Sequence, residues 1–285
     1  MATLRQLRTR VASVTNIQKV TNAMQMVAAA RMRKAQEGIL AARPYAVHLD
    51  RVLQRLGENV GEGGHPLLAD RGDGKVVIAV VTADRGLCGG FNANICRRVV
   101  SELAAYEDNE VRLMTVGRKG RDFFRNRGYE LVGEHLDVFR ELTFGHAVTV
   151  AGDLTRRFLA GEVDKVLLVY SEFRSVAQQA PTVHQLLPIA PQENAEEEIR
   201  GDYLFEPNPE SLLEALVPRH VNFQVWRALL ESNAGEQAAR MQAMDNATKN
   251  AGDLIDELTK EMNRERQSAI TLELMDIIGG AEAVS

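Results

Sequence analysis

The sequence predicts an α/β fold in which a mixed sheet domain is inserted between long N- and C-terminal helices. Strands alternate with helices through the middle of the chain, which is typical of a sheet covered on both faces. Both ends carry apolar residues at helical spacing over unusual lengths. Residues 1–36 hold seven basic residues and no acidic one, whereas residues 210–285 hold thirteen acidic and seven basic residues. We therefore expect the end helices to pair as an antiparallel coiled coil.

The first region, 1–57, is predicted to be one coiled-coil helix. Its apolar positions alternate steps of three and four residues as far as Val14. The next apolar residue, Ile17, follows after three residues where a step of four is due, which indicates a local stammer. Pro44 is expected to bend or interrupt the helix, because proline lacks the N–H that a helix needs. A basic targeting peptide is the alternative for such an Arg-rich start, but the stripe is too long for one. The predicted seam is Leu4, Leu7, Val11, Val14, Ile17, Val20, Met24 and Val27.

The second region, 75–190, is predicted to be a Rossmann-like mixed sheet domain. It follows a linker, 57–74, that contains six glycines. We expect an antiparallel final strand, because that strand follows its neighbour after a short turn. The expected strands are 76–82, 111–117, 129–132, 165–173 and 176–188, and the expected helices are 92–106, 118–126 and 146–159.

The third region, 208–285, is predicted to be the second coiled-coil helix. Asn208 can cap it, Pro209 suits its first turn, and Glu210 favours its positive end. About 70 helical residues extend roughly 105 Å, which requires a partner helix along most of that length. The predicted seam includes Val221, Val225, Ala228, Met241, Met244, Ala251, Leu254, Leu258 and Met262.

The stretch TADRGLCGGFNANI, residues 82–95, superficially resembles a phosphate-binding turn. A Walker loop needs Lys and Ser or Thr after its glycines, whereas Gly90 is followed here by Phe91 and Asn92. The glycine spacing also differs from the dinucleotide-binding pattern. We interpret the stretch as a tight strand-to-helix turn with an exposed loop carrying Asp84, Arg85 and Cys88.

Composition points away from an enzyme and from nucleic-acid binding. The six histidines are scattered, no catalytic or metal-ligating pattern is present, and we expect no cofactor and no metal. The basic run at 29–34 has no aromatic side chain that could stack on bases. No apolar stretch approaches the roughly 18 residues that span a bilayer, so membrane association is expected only through partners. The two cysteines, with no signal peptide, are typical of a reducing compartment.

Several motifs together resemble the γ subunit of rotary ATP synthases. The C-terminal ITLELMDIIGGAEAV, residues 270–284, is similar to the family's signature, and VASVTNIQKVTNAMQMVAAARMRKAQ is similar to its first helix. DRGLCGG, PTVHQLLP, YLFEPNP and EQAARMQAMDNAT resemble internal landmarks of the family. The matches run in order over nearly the whole chain. The signature positions matched are Ile270, Thr271, Glu273, Asp276, Gly280 and Ala281.

The resemblance implies a central rotating stalk that transmits torque between the membrane c ring and the catalytic α/β hexamer and regulates its activity. It implies ATP synthesis coupled to proton or sodium transport, with catalysis in the β subunit and none in this chain. The implied partners are the α, β and ε subunits and the c ring. The implied location is peripheral, on the cytoplasmic side of the inner (plasma) membrane.

The resemblance also implies contact residues. Met24 and the loop residues Asp84, Arg85 and Cys88 match positions that approach the acidic lever of a β subunit. Arg266 and Gln267 match a pair that hydrogen-bonds a β loop near the bearing. The remaining matches are Arg31, Arg33 and Lys34, which would face acidic β surface, and Tyr203 and Glu206, which would lie near ε and the c ring.

Two other interpretations stay open from sequence alone. A nucleotide-binding α/β enzyme with helical arms would be stabilised by its ligand. A coiled-coil adaptor unrelated to rotation would bind partners other than the α/β hexamer. Neither explains the ordered series of motifs.

Overall fold

The computed structural model describes residues 3–60, 65–189 and 208–282. It contains two compact units, Met1–Ala28 with Arg240–Ser285, and Ala29–Ala239. The helices are α1 (Leu4–Val60), α2 (Phe91–Leu103), α3 (Arg118–Arg125), α4 (Phe144–Leu159) and α5 (Pro209–Glu282). The strands are β1 (Lys75–Val81), β2 (Glu110–Val116), β3 (Leu131–His135), β4 (Lys165–Phe173) and β5 (Gln179–Leu187).

The five strands form one mixed sheet in the order β3-β2-β1-β4-β5. β1 pairs in parallel with β2 and β4, and β2 pairs in parallel with β3. β5 pairs antiparallel with β4 at the edge, as the sequence predicts. The predicted mixed α/β sheet is therefore confirmed.

Helices cover both faces of this sheet, because β1 alternates its apolar side chains between two cores. Val77, Ala79 and Val81 lie in one core with residues of α4 and α5. The other core holds Val76, Ile78 and Val80 with residues of α2 and α3. All six side chains are almost fully buried, which explains why β1 reads as a continuous apolar run in the sequence.

Element bounds differ from the sequence predictions by a few residues. The α-helical part of α2 ends at Leu103 and continues as a 3-10 turn to Tyr106, and β3 begins at Leu131 rather than at residue 129. Part of the predicted linker is packed: His65 and Leu67 are buried, and the Leu67 carbonyl accepts the Ile189 N–H at 3.1 Å. A glycine-rich composition therefore did not prevent this segment from joining the core.

Local signals define where the long helices begin. Asn208 accepts the Ser211 N–H on its side-chain oxygen at 2.8 Å, so the predicted cap of α5 is confirmed. Thr3 and Gln6 exchange side-chain to backbone hydrogen bonds at the start of α1, the reciprocal arrangement of a capping box.

The predicted interruption at Pro44 is wrong, because α1 runs without a break to Val60. Proline removes one backbone hydrogen bond, but Pro44 is exposed, so water can reach the freed carbonyl. The neighbouring turns are held by packing within the larger unit. Tyr45 lies against Phe223 with ring centroids 5.0 Å apart, and Leu49 is buried.

In the smaller unit, α1 and the C-terminal part of α5 run antiparallel. Three contacts define the pairing: Gln18 lies against Gly252, the hydroxyls of Thr21 and Thr248 are 2.7 Å apart, and Gln25 donates to Asp245 at 3.0 Å. The residue numbers rise on one helix as they fall on the other. The antiparallel coiled coil predicted from the sequence is confirmed.

The predicted stammer in its seam is wrong. The side chains of α1 that turn inward form an unbroken four-three series that uses polar residues after Val14. The predicted seam residues Ile17, Val20 and Val27 are instead 54%, 58% and 52% exposed, and Leu254 of α5 also lies outside. The inward series is Leu7, Val11, Val14, Gln18, Thr21, Gln25 and Ala28.

Candidate functional site

The loop between β1 and α2 is held by Asp84. Its carboxylate accepts the backbone N–H groups of Arg118 and Asp137 at 3.0 Å each and that of Phe139 at 3.3 Å. The donors belong to the segments that follow β2 and β3, so one side chain joins three loops at the carboxyl edge of the sheet. Asp84 was predicted as a partner contact, and its geometry gives it an anchoring role.

Cys88 lies inside this loop, not on its surface. Only 2% of the residue is exposed, and Asn92 donates to its sulfur at 3.1 Å. The expectation of an exposed Cys88 is therefore wrong. The same Asn92 accepts the Ala83 N–H at 2.9 Å, so it ties the first turn of α2 to the end of β1 and closes the loop over the thiol.

Between Asp84 and Cys88 the exposed residues are Arg85, Gly86 and Leu87. Leu87 is 65% exposed and has a φ of +61°, a left-handed conformation that is costly for leucine. Gly89 has a φ of +55°, as the tight-turn interpretation predicts. Leu87 is a candidate contact that sequence reasoning missed, since the motif itself gives no indication of which residue will be turned outward.

The loop and the following helix offer little thiol chemistry. Burial raises the pKa of Cys96 in α2 to about 11, so its thiol stays protonated near neutral pH. Among the residues that the structure describes, no group of three or more His, Cys, Asp or Glu side chains is placed to hold a metal ion.

The basic residues of the middle of α1 are available to a partner. Arg31, Arg33 and Lys34 are all exposed, while Met32 and Ala35 between and beside them are buried. The helix therefore separates an apolar inner face from a positively charged outer face. Met24 is half-buried beside the helix pairing in the smaller unit.

Arg266 and Gln267 lie where the described helix pairing ends. Extending the three pairing contacts places Leu4, the first residue of α1, level with about residue 266 of α5. Both predicted side chains are exposed. We call Arg266–Glu282 the end segment; it continues beyond the described part of α1. Its exposed large apolar residues are Ile270, Leu272, Leu274, Met275, Ile277 and Ile278.

A mixed sheet, a pair of antiparallel helices and a helix end with six exposed large apolar side chains are the features that the γ-subunit resemblance implies. A family model described as ATP synthase matches residues 3–284, which is nearly the entire chain. The chain belongs to the ATP synthase gamma chain family. It is a gamma subunit of ATP synthase, in the central stalk of that complex.

Two bacterial relatives illustrate the similarity within the gamma chain family. The ATP synthase gamma chain of Pelotomaculum thermopropionicum is 48% identical over 284 residues, covering 100% of both chains. That of Chlorobaculum parvum is 48% identical over 290 residues, covering 100% of this chain and 99% of the relative. Similarity at this level extends over every region predicted from the sequence.

Chains in solved structures of mitochondrial ATP synthases share the fold. A central stalk and c-ring structure of Tetrahymena thermophila mitochondrial ATP synthase matches with a TM-score of 0.62 and 26% identity, covering 80% of this chain and 99% of that chain. A chain of Euglena gracilis mitochondrial ATP synthase matches with a TM-score of 0.68 and 19% identity, covering 99% and 94%. The latter likeness concerns the fold alone.

Two features complete the description of this gamma chain. No helix in the described ranges is both long enough and apolar enough to cross a membrane. Tyr203 and Glu206, which the resemblance implies as ε and c-ring contacts, lie outside the described residues.

Proposed function

We propose that this gamma chain is the rotating shaft that transmits torque between the membrane c ring and the catalytic α/β hexamer and regulates the hexamer's activity. Catalysis belongs to the β subunits, and this chain makes and breaks no bond itself. ATP synthesis is coupled to proton or sodium transport through the stalk. The complex holds the chain at the cytoplasmic side of the inner (plasma) membrane as a peripheral subunit.

The observation that carries this proposal is the end segment, Arg266–Glu282. Its six large apolar side chains are each about half exposed or more, and they point in several directions around the helix. A group of exposed large apolar side chains on a protein surface marks a place where a partner binds. A ring of subunits that surrounds the helix would cover all sides at once, as a bearing does. The outward Ile17, Val20 and Val27 of α1 form a second exposed apolar surface on the helix pair.

The proposed contacts with β fall into three groups. Arg266 and Gln267 hydrogen-bond a β loop at the base of the end segment, where an Arg fork suits a charge-assisted bond. Arg31, Arg33 and Lys34 present positive charge to acidic β surface. Met24 and the loop after β1 meet the acidic lever of a β subunit.

Within that loop, the contact is made by Arg85 and Leu87, which are exposed. Asp84 does not contact the partner itself but holds the loop in position by binding the segments that follow β2 and β3. Cys88 is too deeply buried for its thiol to be the contacting group. Tyr203 and Glu206 remain the proposed contacts with ε and the c ring.

The test uses purified α and β subunits mixed with the full chain. We expect Ile277→Ser together with Ile278→Ser to weaken binding of the chain to the α/β hexamer by at least about tenfold, since each buried aliphatic side chain contributes roughly 1.5–3 kcal/mol. Lys260→Ser with Glu261→Ser, two exposed residues in the paired part of the same helix, is the matched control and should leave binding unchanged. Equal binding by both variants would contradict the bearing role of the end segment.

The residue pair at the base of the end segment has its own test. Arg266→Ala with Gln267→Ala should lower coupled ATP synthesis in the reconstituted membrane complex, measured beside Lys260→Ala with Glu261→Ala. Unchanged rates of synthesis and hydrolysis would remove Arg266 and Gln267 from the contact surface.

A further inference from the structure

Between Val14 and Ala28, α1 has two faces that could pack on α5. One carries Gln18, Thr21 and Gln25, and it is the face turned inward. The other begins one residue earlier at Ile17 and continues through Val20 and Met24 to Val27; Met24 is half-buried, and the other three side chains are turned outward. Since one residue corresponds to about 100° of helix rotation, a rotation of that size would exchange the two faces.

Burial of apolar surface favours the exchanged arrangement. The facing side of α5 offers the buried side chains Met244, Ala251 and Leu258. Turning this apolar face of α1 toward them would remove Ile17, Val20 and Val27 from water. The polar face is nevertheless the one that packs, so another interaction must compensate for the exposed stripe.

The first interaction that could compensate for the exposed apolar stripe is the threonine pair. The Thr21 and Thr248 hydroxyls lie 2.7 Å apart, and each also lies near a carbonyl of its own helix, Gln18 at 3.0 Å and Met244 at 2.8 Å. Two hydroxyl protons serve these three contacts, so at any moment one of the three lacks a proton. Donation between the two threonines is possible only when the polar face of α1 is turned inward.

The second such interaction lies one turn further along α1. The Gln25 side-chain amide donates to the Asp245 carboxylate at 3.0 Å, and Lys249 donates to the same carboxylate at 2.6 Å. The lysine and the glutamine amide together hold the pKa of Asp245 below its usual value, so the acceptor stays ionised near neutral pH. Hydrogen bonds to a charged acceptor are stronger than neutral ones.

We propose that the pairs Thr21–Thr248 and Gln25–Asp245 select which face of α1 packs on α5, and so keep Ile17, Val20 and Val27 on the outer surface of the helix pair. Polar pairs inside coiled coils are known to specify arrangement at some cost in stability. The rival explanation is continuity alone: the inward four-three series is unbroken from Leu7, and a change of face would interrupt it. The two explanations differ in what happens when the polar pairs are removed.

The experiment uses disulfide reporters in the full chain. Gln18→Cys with Gly252→Cys reports the observed face, because a Cβ at Gly252 would lie 3.1 Å from the Gln18 side chain. Ile17→Cys with Gly252→Cys reports the exchanged face, since the thiols could meet only after rotation. Mild oxidation followed by non-reducing electrophoresis gives the yield of each cross-link. A chain without reporters shows the background from the buried Cys88 and Cys96.

The selecting pairs are removed by changing Thr21, Gln25, Asp245 and Thr248 to Ala together. We expect the yield of the exchanged-face cross-link to rise at least about threefold relative to the parent, because more of the molecules then pack with the apolar face of α1 on α5. Adding Val20→Gln should reverse the rise, because it weakens the competing apolar face. Asn16→Ala with Asn22→Ala, at exposed positions of the same helix, is the control and should not change the yield.

An unchanged pattern, with cross-linking only through position 18, would overturn the proposal and leave continuity of the series as the cause. If circular dichroism shows that the fourfold variant does not fold, Thr21→Ala with Thr248→Ala and Gln25→Ala with Asp245→Ala are measured separately. A rise in either double variant supports selection by that pair, and no rise in both overturns it.

Discussion

Replacement of Asp84 by alanine distinguishes an anchoring role from a contact role. The carboxylate accepts three backbone N–H groups, from Arg118, Asp137 and Phe139. Removal of the side chain leaves these donors without their partner and weakens the attachment of the segments after β2 and β3 to the loop after β1. We therefore expect Asp84→Ala to destabilise the isolated chain even when no partner subunit is present.

The size of the effect follows from the exposure of the donors. A hydrogen bond to a charged acceptor contributes about 1.5–3 kcal/mol when it is shielded from water. Two of the three bonds lie at the surface, where water replaces the lost acceptor, so we expect a total loss of about 2–3 kcal/mol in the free energy of unfolding. Asp84→Asn keeps one acceptor oxygen and should lose about 1 kcal/mol.

The assay is urea unfolding followed by fluorescence of Trp226, the single tryptophan of the chain. Trp226 packs edge-on against Phe144, with ring centroids 5.9 Å apart, and therefore reports on the larger unit. Asp108→Ala removes an exposed carboxylate from the same unit and should stay within about 0.5 kcal/mol of the parent. An Asp84→Ala variant as stable as the Asp108→Ala control would refute the anchoring role.

Four further predictions concern the sheet domain. Gly117→Ala should lower the free energy of unfolding, measured in urea, by at least about 3 kcal/mol. Gly117 has a φ of +99°, and a Cβ there would lie 2.0 Å from the Thr82 carbonyl oxygen. Gly128→Ala, at a φ of +78° with no atom within 4 Å, should cost only about 1 kcal/mol. Cys96, with a pKa raised to about 11 by burial, should resist a thiol-reactive dye at pH 8 and react at the unfolded rate in urea, and rapid labelling of the folded chain would contradict this. Leu87→Gly should leave stability unchanged or raise it by up to about 1 kcal/mol by relieving the left-handed strain, while lowering coupled ATP synthesis; unchanged synthesis would remove Leu87 from the contact surface.

Much of the fold could be predicted because its elements have strong local signals. β4 has the predicted bounds, residues 165–173, since its apolar run is flanked by clear breaks. The Asn208 cap and the mixed sheet were also predictable. The interruption predicted at Pro44 does not occur, because packing on neighbouring turns outweighs the low helix propensity of this one residue.

The coiled-coil seam could not be predicted from hydrophobicity, because Gln18, Thr21 and Gln25 turn inward while Ile17 and Val20 turn outward. Their partners lie on α5, more than 200 residues away in sequence. No local pattern in α1 contains that information. A seam that uses polar residues becomes visible only when both helices are considered together.

The motif predicted the turn between β1 and α2, and the structure has that turn, but the motif does not indicate how each of its side chains is placed. Asp84 points toward backbone donors, Cys88 is covered by Asn92, and Leu87 is turned outward. These differences depend on the left-handed backbone at Leu87 and on segments that follow two other strands. Sequence reasoning therefore found the segment and not the orientation of its side chains.

The most direct test of the shaft role is observation of rotation. The full chain carrying Asp108→Cys, an exposed position away from the contact loop, is assembled with immobilised α and β subunits, and a bead is attached to the new thiol while Cys88 and Cys96 remain buried. During ATP hydrolysis we predict that the bead turns in one direction in steps of a third of a turn. A hexamer that hydrolyses ATP while the bound chain stays still, or while the chain stays unbound, would contradict the account.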